Sequence, residues 1–187
     1  EAGGALRLIG SEDLIAPEVG FTYGTASGKQ EPYYEALLQF GQAFPAWEQP
    51  CEAYPENPLR EKYPLQFNQA RSRFRVHSAY SGAKWIQEVS EPHIELNPVD
   101  AAARGLEDGD AVEVFNDRGS FRTVLRLNES VRPESAFMVE STYRQYLDGT
   151  IMQAVSNDTL NERGYALPFG PMIPYNDTLI EIKKAGE

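Results

Sequence analysis

The sequence predicts a mainly β fold, a small barrel of short strands with short helices and an N-terminal extended or helical appendage. Short segments of the chain alternate apolar and polar residues with a period of two, which is the pattern of half-buried strands. Clusters of Asn, Asp and Gly separate these segments and are typical of tight turns. Many short strands with one small helix favour a barrel over an α/β layered fold.

The predicted strands cover residues 63–68, 93–96, 111–115, 120–127, 136–139 and 179–182. A short helix is expected after the second strand, where Asn97 can cap its start and Pro98 fits its first position. Gly105 can terminate this helix. Residues 116–119, with the sequence Asn-Asp-Arg-Gly, predict a hairpin turn between the third and fourth strands.

The N-terminal third has a different composition. Residues 1–30 are rich in Gly and show no periodicity, so we expect an extended or loop-like segment. Residues 31–44 carry apolar side chains at near-helical spacing, and the prolines that follow predict a tether over a surface. We therefore expect residues 1–60 to be a lead-in segment and tether from a preceding domain, and residues 61–187 to be one domain. The start at Glu1 indicates a piece of a longer protein.

Composition excludes several functions. The formal net charge of −11 argues against non-specific nucleic-acid binding. The single Cys51 cannot form an internal disulfide, a four-thiolate zinc site or an iron–sulfur site, and two histidines are few for a zinc site. No apolar run approaches the ~18–20 residues needed to span a bilayer, so no direct membrane insertion is expected.

Positive charge is concentrated in one part of this acidic chain. Between Arg60 and Ser78 there are five basic residues and one acid, a local charge of +4. Residues 68–78 bring together arginines, an imidazole, an amide and hydroxyls. Arginine matches phosphate oxygens in pairs, and Asn or Ser can bind a heterocycle edge or a ribose hydroxyl. From the residues alone, a pyrophosphate or dinucleotide site and a solvated loop paired with carboxylates are equally good interpretations.

Several of these pieces occur together in one known family. Tyr63-Pro64-Leu65-Gln66-Phe67 precedes Arg71-Ser72-Arg73-Phe74-Arg75-Val76-His77-Ser78, and Asn97-Pro98-Val99-Asp100-Ala101, Gly105-Leu106-Glu107-Asp108-Gly109-Asp110 and Asn116-Asp117-Arg118-Gly119 follow in that order. The combination resembles the C-terminal molybdopterin-guanine-dinucleotide-binding domain of the dimethyl sulfoxide reductase family of molybdenum oxidoreductases. The resemblance covers roughly residues 63–184.

The resemblance implies a double-psi β-barrel of the aspartate-decarboxylase-like kind. Its cofactor would be a bis-molybdopterin guanine dinucleotide whose molybdenum or tungsten is held by other domains, so no catalytic or metal-ligating residue is expected here and the fragment alone should be inactive. The implied partners are the preceding domains of the parent catalytic subunit, with its iron–sulfur and membrane-anchor subunits. The implied cofactor-binding residues are Asn68, Gln69, Arg71, Arg73, His77, Ser78, Asn157, Tyr175 and Asn176.

A barrel of this kind can also serve a different function, because fold does not fix function. The alternative is a protein-interaction module in which the Arg-rich loop contacts an acidic partner. A decarboxylase-like barrel enzyme is a weaker idea, since the Gly-Ser self-cleavage site that its chemistry needs is not evident.

Overall fold

A computed structural model describes residues 27–166, 170 and 172–186. The chain divides into two compact units, Glu1–Trp47 and Glu48–Glu187. In the first unit, a 3-10 helix covers Glu35–Phe40 and ends at Gly41, whose φ of 69° suits glycine. The helix predicted over residues 31–44 is thus shorter and of the 3-10 type, and none of its residues is buried. The loop-like segment expected at residues 1–26 lies outside the described residues.

The second unit is built on a closed six-stranded barrel, which confirms the predicted mainly β barrel with short helices. The strands are β1 (Leu65–Ala70), β2 (His93–Leu96), β3 (Ala111–Phe115), β4 (Ser120–Leu127), β5 (Ser135–Val139) and β6 (Leu179–Lys184). Two short α-helices, α1 (Lys84–Val89) and α2 (Pro98–Ala102), lie between strands. The 3-10 helices of this unit are Pro58–Glu61, Arg144–Tyr146, Met152–Val155 and Glu162–Ala166.

Strand order around the barrel is β1-β5-β2-β4-β3-β6. Two neighbouring pairs are parallel, β1 with β5 and β2 with β4, and the other neighbours are antiparallel. In the first parallel pair, Ala70 lies opposite Val139, so both strands end at the same side. The segments that follow β1 and β5 therefore emerge next to each other.

The barrel interior is filled by alternate side chains of every strand. Phe67 and Phe121 are fully buried, and their ring centroids lie 5.8 Å apart. Each such apolar side chain contributes roughly 1.5–3 kcal/mol when it leaves water. A shift of one residue would turn these side chains outward, so the core fixes the register of the strands. The segments at the strand ends are thereby held in place.

Two elements differ from the sequence expectation for physical reasons. The first strand begins at Leu65 rather than residue 63, because Pro64 has no N–H for the ladder and Tyr63 packs in a separate small cluster. Helix α1 was not predicted, because its six residues are too few to show a helical period. The cap of α2 is as predicted, with the Asn97 side chain accepting the Val99 N–H at 3.0 Å.

Among the described residues, no helix is both long enough and apolar enough to cross a membrane. The division of the chain at residue 60 into a tether and a cofactor-binding domain stays a prediction.

Candidate functional site

The predicted site residues of the second unit gather where β1 and β5 end and where the chain turns into β6. The N–H of Phe67 donates to the Thr178 carbonyl at 2.8 Å, so the turn before β6 runs along the second half of β1. Four predicted residues, Gln69, Asn157, Tyr175 and Asn176, meet at this point.

Gln69 joins three segments from inside the protein. It is 5% exposed, and its Nε2 donates to the Ser156 hydroxyl at 3.0 Å and to the Tyr175 carbonyl at 3.4 Å. Its backbone N–H donates to the Asn176 side-chain oxygen at 2.7 Å. Gln69 therefore links the end of β1 to the segment after Val155 and to the turn before β6.

Asn157 makes the second set of these connections. It is 3% exposed, and its N–H donates to the Thr178 hydroxyl at 2.8 Å while its Nδ2 donates to the Asp177 carbonyl at 2.9 Å. Its side-chain oxygen accepts the Thr159 N–H at 3.1 Å. Both ends of its amide are thus bonded within the chain. We use the term closed cluster for these interlocked residues, which are Gln69, Ser156, Asn157, Tyr175, Asn176 and Thr178.

The carboxylates of Asp177 and Glu52 also stabilise the turn before β6. Asp177 accepts the backbone N–H groups of Cys51, Glu52 and Ala53, at 2.5 Å for Cys51 and 2.6 Å for Ala53. Glu52 in return accepts the Leu179 N–H at 2.6 Å and both terminal nitrogens of Arg118, at 2.7 and 2.8 Å. The Glu52 carboxylate raises the pKa of Arg118. We use the term latch for this set of bonded residues, which are residues 51–53, Arg118, Asp177 and Leu179.

Residues 71–78, which we call the basic loop, follow β1 and have a different character. The side chain of Arg71 is 72% exposed and that of His77 is 53% exposed. Arg73 is also exposed and makes no hydrogen bond or ion pair within the described ranges. Arg71 and His77 lie near the Glu140 carboxylate without a hydrogen bond to it, so all three side chains keep exposed donors that a ligand can reach.

Arg75 is the residue of the basic loop that connects the loop to the segment after β5. Its terminal nitrogens donate to the carbonyls of Glu140 and Ser141, at 2.9 and 3.0 Å, and it also contacts the carbonyl of His77. Burial lowers the pKa of Arg75, and the charge of Glu140 opposes that shift. The basic loop is thereby tied to the segment that follows β5.

Glu140 lies directly after β5 and faces this loop. Its side chain is 16% exposed, and its Oε1 lies 3.7 Å from Arg71 Nε and 3.4 Å from His77 Nδ1. This oxygen is buried and has no hydrogen-bond partner among the residues that the structure describes. Buried polar atoms are nearly always hydrogen-bonded, so the exception needs an explanation.

The backbone around Glu140 carries unusual conformations. His77 in the basic loop and Ser141 next to Glu140 have φ values of 48° and 62°, in the left-handed region that side chains other than Gly seldom adopt. Such conformations concentrate at ligand sites, where the surrounding structure holds them. Here the Arg75 bonds to both segments provide that restraint.

The remaining predicted residues, Asn68 and Ser78, lie outside the closed cluster. Among the described residues, the Asn68 side chain makes only a long contact of 3.5 Å to the Gln66 carbonyl, and the Ser78 carbonyl accepts the Ser81 hydroxyl at 2.7 Å. The prediction missed Ser156, Thr178 and Glu140. The only sequence signal for them is position, since Glu140 follows a predicted strand and Thr178 precedes one.

Two cavities bear on the choice of site. A groove of about 430 Å³ runs beside the closed cluster, lined by Gln66 and by the segment from Ile173 to Asp177 with Pro50. A cavity of about 560 Å³ between β3, β4 and Tyr146 contains none of the predicted cofactor residues. The groove contains two of the predicted residues, Tyr175 and Asn176, and the larger cavity contains none of them, so we place the site at the ends of β1 and β5. The described residues contain no group of three His, Cys, Asp or Glu side chains that could hold a metal ion.

Fold and site together define a barrel domain that presents exposed arginines beside a rigid polar cluster. Residues 65–163 match the family model described as the molydopterin dinucleotide binding domain, and the chain belongs to this family. The predicted resemblance is thereby confirmed.

Named relatives agree with the family match. The chain is 29% identical over 184 residues to a putative dimethyl sulfoxide reductase catalytic subunit of Halobacterium salinarum, covering 91% of this chain and 21% of that protein. It is 32% identical over 123 residues to the dimethyl sulfoxide reductase DmsA of Escherichia coli, covering 58% of this chain and 15% of the relative. The chain thus spans about a fifth or less of these relatives.

A solved structure shows the same fold. Acetylene hydratase from Pelobacter acetylenicus superimposes with a TM-score of 0.66 at 20% identity, covering 92% of this chain and 25% of that one. At this identity the likeness concerns the fold alone.

The described residues fit a dinucleotide. The side chains of Arg71 and Arg73 are exposed, which suits contact with phosphate oxygens, and the buried Glu140 oxygen without a hydrogen bond among the described residues can accept one from a ring N–H. Donors for phosphate oxygens and an acceptor for a ring N–H therefore lie at the same end of the barrel.

Proposed function

We propose that the chain binds the guanine dinucleotide arm of a molybdopterin cofactor in its bis form, as the C-terminal part of a molybdenum or tungsten oxidoreductase. The observation that carries the proposal is the position of the basic loop. Its exposed arginines lie at the barrel end where the closed cluster lies, in a member of the dinucleotide-binding family. An acidic protein can bind an anion when its arginines are gathered there.

Arg71 and Arg73 would bind the pyrophosphate, because guanidinium groups match phosphate oxygens with paired, charge-assisted hydrogen bonds. His77 can add a further donor, and Asn68 and Ser78 can bind a sugar or heterocycle. The buried amides of Gln69 and Asn157 are bonded within the chain and instead fix the surface against which the cofactor lies. The bound pterin and its metal would supply the redox chemistry.

The chain should not turn over substrate by itself. The relatives that it matches are several times longer than this chain, and the remaining domains of a parent enzyme of that size would hold the metal. We propose that the direct partners are the preceding domains of the parent protein, and that iron–sulfur and membrane-anchor subunits complete the parent enzyme.

The test is calorimetric titration of the 187-residue chain with GDP, which carries the guanine and the pyrophosphate. We expect saturable binding that weakens about tenfold or more in Arg71→Ala and in Arg73→Ala, because each removes hydrogen bonds to a charged group. Arg132→Ala is the control, since Arg132 precedes β5 and so lies at the opposite barrel end. Equal affinity in all three variants would remove the basic loop from the proposal.

An interaction module is the alternative function. Its supporting observation is the exposure of Phe74, Val76, Tyr80, Trp85 and Val89, all between β1 and β2. Clustered exposed apolar side chains mark protein contacts. A chain that binds no GDP but retains a protein partner after loss of both arginines would favour this function.

A further inference from the structure

We propose that Glu140 recognises the 2-amino-4-oxopyrimidine edge that guanine and pterin share, by accepting hydrogen bonds from its ring N–H and its amino group. This inference rests on the proposed function and assigns the arginines and the carboxylate to different parts of the ligand. It makes Glu140 the residue that selects guanine over adenine.

The starting point is the unsatisfied carboxylate. Glu140 Oε1 is buried and accepts no hydrogen bond from any described residue, although Glu140 is the residue that immediately follows β5 at the site. A buried carboxylate oxygen needs a donor, and a ligand can supply one. The atom is therefore available as an acceptor.

The groups that face this oxygen are two exposed basic side chains. Arg71 approaches it through Nε at 3.7 Å and His77 through Nδ1 at 3.4 Å, without hydrogen-bond geometry. Both side chains are more than half exposed, so they can move. A pyrophosphate that draws them outward would uncover Oε1.

Chemistry excludes a phosphate at the carboxylate itself. Two anions in contact repel, so the phosphates must lie on the outer side of Arg71. The guanine edge instead presents N1–H and N2–H side by side, and these match the two oxygens of one carboxylate. Adenine presents an acceptor at its N1, which the carboxylate would repel.

The position of Glu140 is fixed from its own backbone. Arg75 donates to the carbonyls of Glu140 and Ser141, and Ser141 has a φ of 62°. Arg75 Nη2 also contacts the Thr142 hydroxyl at 3.4 Å. A carboxylate on so restrained a backbone loses little freedom when it binds a planar ring edge.

The experiment titrates the 187-residue chain with GDP, IDP, ADP and unphosphorylated pterin. GDP should bind at least about tenfold tighter than ADP, with IDP between them because it keeps the ring N–H and lacks the amino group. In Glu140→Gln the preference of GDP over ADP should fall below about threefold, because the amide presents one donor where an acceptor is needed. ADP affinity should stay the same or rise.

Controls separate recognition from folding. Glu134→Gln changes the same side chain at the other end of β5, where it is exposed, and should keep the preference for GDP. Glu140→Asp keeps the charge and should retain part of the preference. Both variants and Glu140→Gln are compared by thermal unfolding, and only folded samples enter the titrations.

The outcomes are distinguishable. If GDP binds and Glu140→Gln keeps the full preference for GDP, Glu140 does not recognise the edge, while the dinucleotide-binding function stands. If pterin affinity falls in Glu140→Gln while the preference for GDP is kept, the carboxylate contacts pterin and not guanine, and the selection of guanine by Glu140 is overturned. If no probe binds, the proposed function fails and this inference fails with it.

Discussion

The closed cluster and the basic loop lie at the same end of one barrel, yet they are built in opposite ways. In the closed cluster, Gln69 and Asn157 are 5% and 3% exposed, and their side-chain amides are bonded within the chain. In the basic loop, the Arg71 and His77 side chains are 72% and 53% exposed. The closed cluster therefore provides a fixed surface, and the basic loop provides exposed positive charge that a ligand can contact.

This difference explains how a chain with a net charge of −11 can be an anion binder. The carboxylates of the latch have partners of their own, since Glu52 pairs with Arg118 and Asp177 accepts three backbone N–H groups. They stabilise the turn before β6 and do not pair with the arginines of the basic loop. Substitutions in the two regions should consequently affect different measurements, stability in one case and affinity in the other.

The largest effect is expected from Arg118→Ala. This change leaves the Glu52 carboxylate, whose side chain is 10% exposed, without its cation, and removal of one partner of a buried pair costs about 3–5 kcal/mol. The free energy of unfolding in urea measures the loss. Arg122→Ala is the matched control, because its pair with Asp148 is exposed and should be worth no more than about 1 kcal/mol. Equal losses in both variants would mean that the latch does not stabilise the turn.

A smaller effect is expected from Gln69→Leu. The substitution removes the amide that bonds to Ser156 and Tyr175 and leaves buried polar atoms unpaired, at a cost of about 1–3 kcal/mol. Gln66→Leu on the same strand is the control, since its amide makes one exposed contact of 3.3 Å with the Asn176 carbonyl. The comparison of the two midpoints in urea tests whether the closed cluster is a structural frame, and a control that loses as much would contradict it.

Arg73→Ala should show the reverse behaviour. Its side chain is exposed and has no partner within the described ranges, so the free energy of unfolding should change by less than about 0.5 kcal/mol. GDP affinity, measured by calorimetry on the same sample, should fall about tenfold. A variant that loses stability but keeps its affinity would show that the two regions do not divide these roles.

Most of the fold could be predicted because strand patterning is local. Each predicted strand is present. The alternation of apolar and polar residues was enough to predict that side chains such as Phe67 and Phe121 face the interior. Helix α1 could not be predicted this way, because its six residues are too few to show a helical period. The predicted and observed ends of the strands differ where Pro64 or a turn limits the strand.

The site could be predicted less well because it depends on distant pairings. The latch joins Glu52 to Arg118 and Asp177 to the backbone of residues 51–53, and these partners are 66 and about 125 residues apart. An Asn that completes a turn, as Asn157 does, has the same local sequence signal as one that binds a ligand. Glu140 carries no motif, and only its place beside Arg71 after folding marks it.

The smallest effect is a pH dependence at the hairpin turn that also carries Arg118. Hydrogen bonds from Lys62 and Tyr63 lower the pKa of Asp117 below its ordinary value of 3.8. A carboxyl with a lowered folded pKa adds stability above its unfolded pKa and loses it as the pH falls through the folded pKa. Asp117→Asn should therefore be slightly less stable than the wild type at about pH 6 and converge with it at about pH 2.

Unfolding curves in urea at intervals between about pH 2 and pH 6 would measure this convergence. Lys62→Met should reduce the same slope, because the bond from Lys62 is the first cause of the shift, and the double variant should add little. Lys62 and Asp117 are both mostly exposed, so salt should weaken the effect, whereas the buried pair of the neighbouring Arg118 should respond little. A wild type and an Asp117→Asn variant that stay parallel over the whole range would show that the Lys62–Asp117 pair does not stabilise this turn.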